Sequence, residues 1–500
     1  MDLKLKGILC GLLFLPSLLF SQSFQEDLLE IAQDEQLMGM SVVKICDSEV
    51  DEIFHYGLRD NTRDLDIDDS TLFRIASISK TITATGAMIL VDNGNLDLDA
   101  DIGDYLGFEC RNPLYPDVVI TTRMVLSHTS SIQDGTGYSP FLSATYTGTN
   151  DIVPIQELLD PQGSYFTSNI FRTEQPGSYF AYSNLNFGVL ATIMESASGQ
   201  RFDVFMREHL FEPMGLACSY NVDDIENIDN LAVLYRNQGG WTPQVDNYQG
   251  IAPTPVELAD YTPGGNGLRF APQGGLRCSM PDLARLALLH LNEGYDSHTD
   301  QQIVSTATIQ LMHTPVWTYN GSNGDNYFNL FNQWGLGIQQ TTNTPMGDIV
   351  VSGTTFLGHP GEAYGLISDM YVNKEDGSGI IFLTNGAWNG FSFGNNSAFY
   401  TLEEAVFGAF ADYTECAVNV QEAARSVFQI YPNPARSGDP VRISTNDLIH
   451  CARLSSSEGT LIESYTNIQG DLSLPNLAPG IYFLSYEINE QQDTLRIVIQ

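Results

Sequence analysis

Phe73-Arg-Ile-Ala-Ser-Ile-Ser-Lys-Thr-Ile-Thr-Ala-Thr-Gly-Ala-Met88 is the stretch around which the rest of the chain organises. Apolar residues at helix-compatible spacing continue from Thr81 to Val91, which predicts a helix with Ser77 at its start. Ser77 and Lys80 stand three positions apart on that helix, so a hydroxyl and an amine share one face within hydrogen-bonding reach. A helix start also presents free N–H groups and the positive dipole end, which stabilise the charge created when a nucleophile attacks a carbonyl. The competing reading is an ordinary helix start with an exposed lysine. Against it stands scarcity: the chain has five lysines, and outside the N-terminal leader only Lys44, Lys80 and Lys374 remain to form such a pair by chance. Lys80 is framed by Ile75, Ile78, Ile82 and Ala84. A partly desolvated lysine has a lowered pKa, as a general base near neutral pH needs.

Around this centre, 500 residues with 43% hydrophobic content hold a large core and more than one domain. A formal net charge of −39 argues against nucleic acid and anionic membrane surfaces as partners, since both select basic patches. Met1 to Ser21 reads as a cleavable secretory signal peptide, with Lys4 and Lys6, the apolar run Gly7 to Phe20, and a small residue at the cleavage point. No other stretch reaches membrane-spanning length. Six cysteines remain after the leader; they permit fifteen pairings and show no C-x-x-C metal spacing, so no bridge is assigned and no metal or cofactor is expected. The acidic runs Asp64 to Asp69 and Asp97 to Asp101 lack the glycine and closing glutamate of a calcium loop and read as solvated turns.

Going outward along the chain, Gln25 to Asp34 reads as a helix, and Ser41 to Ile45 with Val50 to Tyr56 as an antiparallel pair turning at Asp47-Ser48. The segment Ile120 to Ser131 leads into a long polar stretch, a length typical of lids or binding walls. His128 reads as structural, because it is followed at once by Thr-Ser at a helix-to-loop transition. Tyr182-Ser-Asn184 opens another helix and offers a phenol and a carboxamide to a cleft. Met280 to Asn292 and Ser397 to Phe410 read as helices. Strands are expected at Trp334 to Gln339, Ile349 to Ser352, Ala363 to Val372 and Gly379 to Leu383, with Phe356-Leu-Gly-His-Pro-Gly-Glu-Ala-Tyr-Gly365 between them.

Three separated motifs, Ser77-x-x-Lys80, Tyr182-x-Asn184 and His359-Pro-Gly361, together resemble the serine β-lactamase-like family, in its class C, D-alanyl-D-alanine carboxypeptidase and esterase branch. The resemblance covers roughly Leu37 to Phe410. It implies an α+β fold, with an antiparallel sheet flanked by helices beside an inserted all-helical lobe and the site in the cleft between them. It further implies that Ser77 forms an acyl-enzyme, that Lys80 and Tyr182 share the base work, and that Asn184 orients Lys80 and the substrate. The backbone N–H groups of Ser77 and Glu362 would form an oxyanion hole. Gly361 would keep the strand edge open to substrate.

The third motif departs from the lysine-threonine/serine-glycine common in β-lactamases. His359 still has a ring N–H to offer a carboxylate or leaving group, but Pro360 supplies no donor. This shifts weight from penicillin hydrolysis toward an esterase or carboxypeptidase acting on ester, amide or D-amino-acid peptide bonds. A class C-like β-lactamase and a catalytically silent binding protein are the alternatives.

From Asp412 to Val427 the pattern is lost and a linker is expected. Short alternating segments from Phe428 to the end read as a small all-β sandwich. Tyr431-Pro-Asn-Pro434 and Gly480-Ile-Tyr-Phe-Leu484 resemble the C-terminal sorting domain of the type IX secretion system of Bacteroidota. That implies recognition by the secretion machinery and delivery to the cell surface or medium; a carbohydrate- or peptide-binding module is the competing reading. The expected division is therefore signal peptide 1–21, hydrolase domain 22–411, linker 412–427 and sorting domain 428–500.

Overall fold

The computed structural model describes residues 23–147, 152–256, 258, 260–413, 428–431, 442–456, 460–475, 477–488 and 491–499. The expected signal peptide and almost all of the expected linker lie outside these residues. The chain divides into two compact units, Met1–Thr414 and Glu415–Gln500.

The first unit is built on a nine-stranded antiparallel sheet. Its order is Trp317–Thr318, Gln333–Trp334, Gln339–Gln340, Leu357–Ala363, Leu366–Val372, Gly379–Gly386, Gly39–Cys46, Glu49–Asp60 and Leu65–Asp66. The hairpin at the N-terminus turns on Asp47 and Ser48, both with positive φ (51° and 61°), as a tight two-residue connection requires. Strand Gly39–Cys46 lies between that partner and Gly379–Gly386, so the first strand of this unit is zipped against its last.

Alternation decides which face each residue serves. Val42, Ile380 and Phe382 face a layer made by the helices Phe24–Asp34 and Thr401–Asp412, whereas Val43, Ile381 and Leu383 face the larger core of the helical lobe. The first of these helices starts on a Ser23–Glu26 capping box, which satisfies two free N–H groups at once. Helix Ile78–Asp92 is buried on all sides from Ile78 to Leu90, as is Asn184–Ser198 from Leu185 to Glu195. Both are central helices rather than surface amphipaths, and their weak polar stripes follow from that. Gly86 lets the first of them pack closely against Met206 of helix Phe202–Met206, since a Cβ there would sit 2.3 Å from its Sδ.

Three expectations need correction. Ile349 to Ser352 is not a strand; Asp348 instead gathers the N–H groups of Thr342 and Thr344 into a turn. His359-Pro-Gly361 lies within a strand, Leu357–Ala363, rather than between strands. Trp334 to Gln339 is not one strand but the turn between two, Gln333–Trp334 and Gln339–Gln340, which pair antiparallel. Cys46 is disulfide-bonded, while Cys110, Cys218 and Cys278 are buried free thiols.

The second unit is a five-stranded antiparallel arrangement. Arg442–Ser456 pairs with Phe428–Tyr431 through its first residues, with Gly480–Ile488 through its last, and with Leu461–Ser473 along most of its length. The strands are longer than the short segments expected, since a bulge between Thr445 and Ile449 carries the ladder past the polar Asn446 and Asp447. No helix among the described residues is long and apolar enough to cross a membrane.

Candidate active site

Ala76 adopts a left-handed conformation with φ 45°, which costs on the order of 1 kcal/mol for a residue with a Cβ. It is pinned on the chain before it: Ile75 N–H donates to Leu276 O at 3.1 Å, and Ser368 Oγ donates to Ile75 O at 3.2 Å. This turn delivers Ser77 to the N-cap of helix Ile78–Asp92, where its side chain caps nothing and is left free for other work.

Lys80 lies on the same face, with no solvent exposure. Its Nζ is bonded to Ser77 Oγ at 2.9 Å, to Asn184 Oδ1 at 2.9 Å and to the Gln273 carbonyl at 2.7 Å. Burial pushes the amine down to about 7, against the opposing pull of the Asp134 charge. In its neutral form the amine keeps two N–H groups for Asn184 and Gln273 and turns its lone pair toward the Ser77 hydroxyl.

Asn184 is held from behind by Asp134. That carboxylate accepts from Asn184 N, Asn184 Nδ2, Leu185 N and Ser183 Oγ at 2.8 to 3.1 Å, so it caps helix Asn184–Ser198 and fixes which end of the carboxamide meets Lys80. The backbone before it is held by His128, whose Nδ1 accepts the Ser183 N–H at 3.2 Å.

The Tyr182 ring is clasped by His128, Phe331 and Trp334, with centroids 4.6, 5.1 and 5.9 Å away, and the Lys80 ammonium position is 4.9 Å from its own centroid. Burial raises its pKa well above the ordinary phenol value, while Ser77 beside it works against the rise. Burial thus opposes the phenolate form of Tyr182. Tyr182 Oη lies 3.4 Å from His359 Nε2.

His359 is fully buried, and burial together with nearby Lys80 lowers its pKa to about 3. Its Nδ1 lies 2.5 Å from the Pro360 carbonyl, which only accepts, so Nδ1 carries the proton and Nε2 is an acceptor. Both ring nitrogens are thus committed, and the ring has no N–H to offer a substrate. This corrects the expectation that His359 donates to a carboxylate.

Gly361 approaches the serine closely: a Cβ there would meet Ser368 Oγ at 2.4 Å and both Ile75 O and Ser77 N at 3.1 Å. On the same strand Glu362 is paired with Ile367, whose N–H goes to Thr384 Oγ1 on the far side. Glu362 and Ile367 are therefore a non-hydrogen-bonded pair, and the Glu362 N–H points to the open edge of its strand. Pro360, two residues earlier, points the same way and loses no ladder bond.

The structure thus brings together Ser77, Lys80, Tyr182, Asn184, His359 and Gly361, with Glu362 on the adjoining edge. Sequence reasoning missed Asp134, which sits in a loop without a motif, and Gln273, which acts through its backbone. In front of Ser77 opens a cavity of about 590 Å³ whose lining includes Asn184, Gln273, Glu362 and Tyr364. No cluster of metal-ligating side chains occurs among the described residues.

A family model described as Beta-lactamase matches residues 26–400, and one described as a secretion system C-terminal sorting domain matches residues 429–500. The chain is 24% identical to Penicillin-binding protein 4 of Amycolatopsis lactamdurans over 73% of this chain and 84% of that protein. It is 30% identical to Esterase EstB of Burkholderia gladioli, over 32% of this chain and 41% of that protein. A solved D-amino acid amidase from Ochrobactrum anthropi SV3 superposes with a TM-score of 0.55 at 19% identity, over 77% of this chain and 97% of that one, a likeness of fold.

Proposed function

The chain belongs to the beta-lactamase family, and from that membership we propose that it is an exported serine hydrolase that works through an acyl-enzyme on Ser77. Its substrates are esters, amides or D-amino-acid peptides. The observation that carries this reading is the 2.9 Å contact between Ser77 Oγ and a desolvated Lys80 amine poised near neutrality.

In the proposed reaction neutral Lys80 takes the Ser77 proton as Oγ attacks the carbonyl carbon. The negative oxygen that results is met by the N–H groups of Ser77 and Glu362, a contribution of several kcal/mol in sites of this kind. Tyr182, fixed by its aromatic clasp, passes the proton from Lys80 to the leaving group. Water then repeats the sequence on the acyl-enzyme, with Lys80 again as base. Asn184 keeps the amine aimed, and its own orientation depends on Asp134.

The absence of a free donor on His359 weighs against a grip on the carboxylate of a penicillin and favours the esterase or carboxypeptidase reading over a β-lactamase. The matched sorting domain supports passage through type IX secretion to the surface or medium.

Labelling with a fluorescent fluorophosphonate and a fluorescent penicillin, each on wild type and Ser77→Ala, tests the proposal. A Ser77-dependent fluorophosphonate adduct with rapid p-nitrophenyl acetate hydrolysis supports it. Fast penicillin turnover would make the protein a β-lactamase, and no Ser77-dependent adduct with either probe would make it a binding protein.

A further inference from the structure

The cavity in front of Ser77 is cationic in a chain that is otherwise strongly acidic. Arg74, Arg236, Arg269 and Arg277 all line it. Arg74 and Arg277 share one counter-ion, the buried Asp246 carboxylate, at 2.8 to 3.3 Å. The other two have none within salt-bridge distance. Every other arginine between residues 23 and 413 lies within 4.0 Å of a carboxylate, whereas Arg236 and Arg269 have no such partner among the described residues.

Arg269 is the better built of the two. Its Nη1 donates to the carbonyls of Thr145 and Tyr146 at 2.7 and 3.1 Å, which fixes the guanidinium plane and leaves Nε and Nη2 unpartnered among the described residues. The side chain is half-buried, and loss of solvent lowers its pKa. A partly desolvated cation without a counter-ion is a costly arrangement that a bound anion relieves. Arg236 is exposed on the strand Leu234–Asn237. The carboxylates of the cavity do not pair with Arg269 directly: Glu362 accepts from Tyr400 at 2.7 Å, and Asp223, which accepts from Val256 N at 3.1 Å, lies beyond salt-bridge distance and only partly offsets the loss of solvent at Arg269.

Tyr182, which delivers the proton to the leaving group in the mechanism above, is not among the lining residues, whereas Ser77, Asn184 and Glu362 are. The cavity therefore receives the acyl portion of the substrate. We propose that this enzyme selects acyl groups that carry a carboxylate of their own, held in the cavity by Arg269 with Arg236 at its mouth. This rests on the serine-hydrolase reading.

The test compares two esters with acyl chains of equal length, mono-p-nitrophenyl adipate and p-nitrophenyl hexanoate, on the full-length protein, with background hydrolysis subtracted. Wild type is expected to favour the adipate in kcat/KM by about tenfold or more, and Arg269→Gln to lose that preference chiefly through KM. Arg269→Lys should fall between, and Arg236→Gln should show a smaller loss. Free adipate should compete with hexanoate ester in wild type but not in Arg269→Gln. Equal rates on the two esters in wild type would overturn the proposal while leaving the hydrolase intact. No turnover of either ester, together with no Ser77-dependent fluorophosphonate adduct, would remove the hydrolase and the proposal with it.

Discussion

The Tyr182 phenol donates to the His359 imidazole across 3.4 Å, and it must be the donor because the other ring nitrogen gives its proton to the Pro360 carbonyl. His359 is thus a neutral positioning residue for the phenol. Replacing it with Asn, which still accepts a hydrogen bond, should lower kcat by about tenfold, as expected for a misaligned proton-transfer group. The pH profile of kcat/KM should keep its shape, because a group with a pKa near 3 does not titrate in the working range. A profile that loses a limb between pH 5 and 7 in His359→Asn would show that the ring titrates during catalysis.

Lys80 should govern the acid limb. If the neutral amine is the base, kcat/KM rises with pH and levels off above about 7. A limb centred near 10, measured with a neutral ester, would instead assign the base to the phenol.

The same lysine leaves a mark on stability. Its folded pKa of about 7 lies below the unfolded value of 10.5, so between these values the unfolded chain binds more protons and stability increases with pH. The destabilising burial of a charged amine is fully present below 7 and relieved toward 10.5. Relative to Lys80→Met, wild type should gain about 2–3 kcal/mol between pH 6 and pH 9, as read from denaturant midpoints at the two pH values. A constant difference between the two proteins would show that the amine is not desolvated in the folded state.

Asp134 should act on both rate and pH profile. Asp134→Ala removes a helix cap, with a loss of about 1–2 kcal/mol, and frees the Asn184 carboxamide to turn. It also removes the charge that holds the Lys80 pKa up, so the acid limb should move to lower pH. Asp134→Asn restores the cap without the charge; recovered stability with a still-displaced limb would separate the two roles, and an unmoved limb in both variants would exclude the electrostatic one.

Gly361→Ala should be severe, since two of the atoms a Cβ meets, Ile75 O and Ser77 N, are backbone and cannot swing aside. A fall in kcat of more than about a hundredfold is expected, the scale for a site displaced by an ångström. Wild-type kinetics in this variant would mean that the strand edge lies further from the serine.

What the sequence revealed follows chemistry that is written in side chains. Ser77, Lys80 and Asn184 were legible because an alcohol, an amine and a carboxamide at the starts of two apolar helices imply a shared cleft. The electrostatic setting of Tyr182 was not legible, because desolvation by Phe331 and Trp334 depends on packing between segments distant in sequence. His359 was found but its tautomer was not, since that is set by a carbonyl one residue away. Gln273 left no trace, as any residue carries the same carbonyl. The strand at Ile349 to Ser352 failed because a side-chain-bonded turn competed with an apolar run.

The amine at the centre of the site is tied to positions 77, 184 and 273, and the strand behind it joins a sheet whose middle member comes from the opposite end of the domain. Local collapse of the first hundred residues leaves the lysine without two of its three tethers, and without them nothing keeps it dry or aimed. On the proposed mechanism, a chain caught partway through synthesis or threading carries a serine with no poised base beside it. Reactivity follows only when positions 184 and 273 have closed on Lys80.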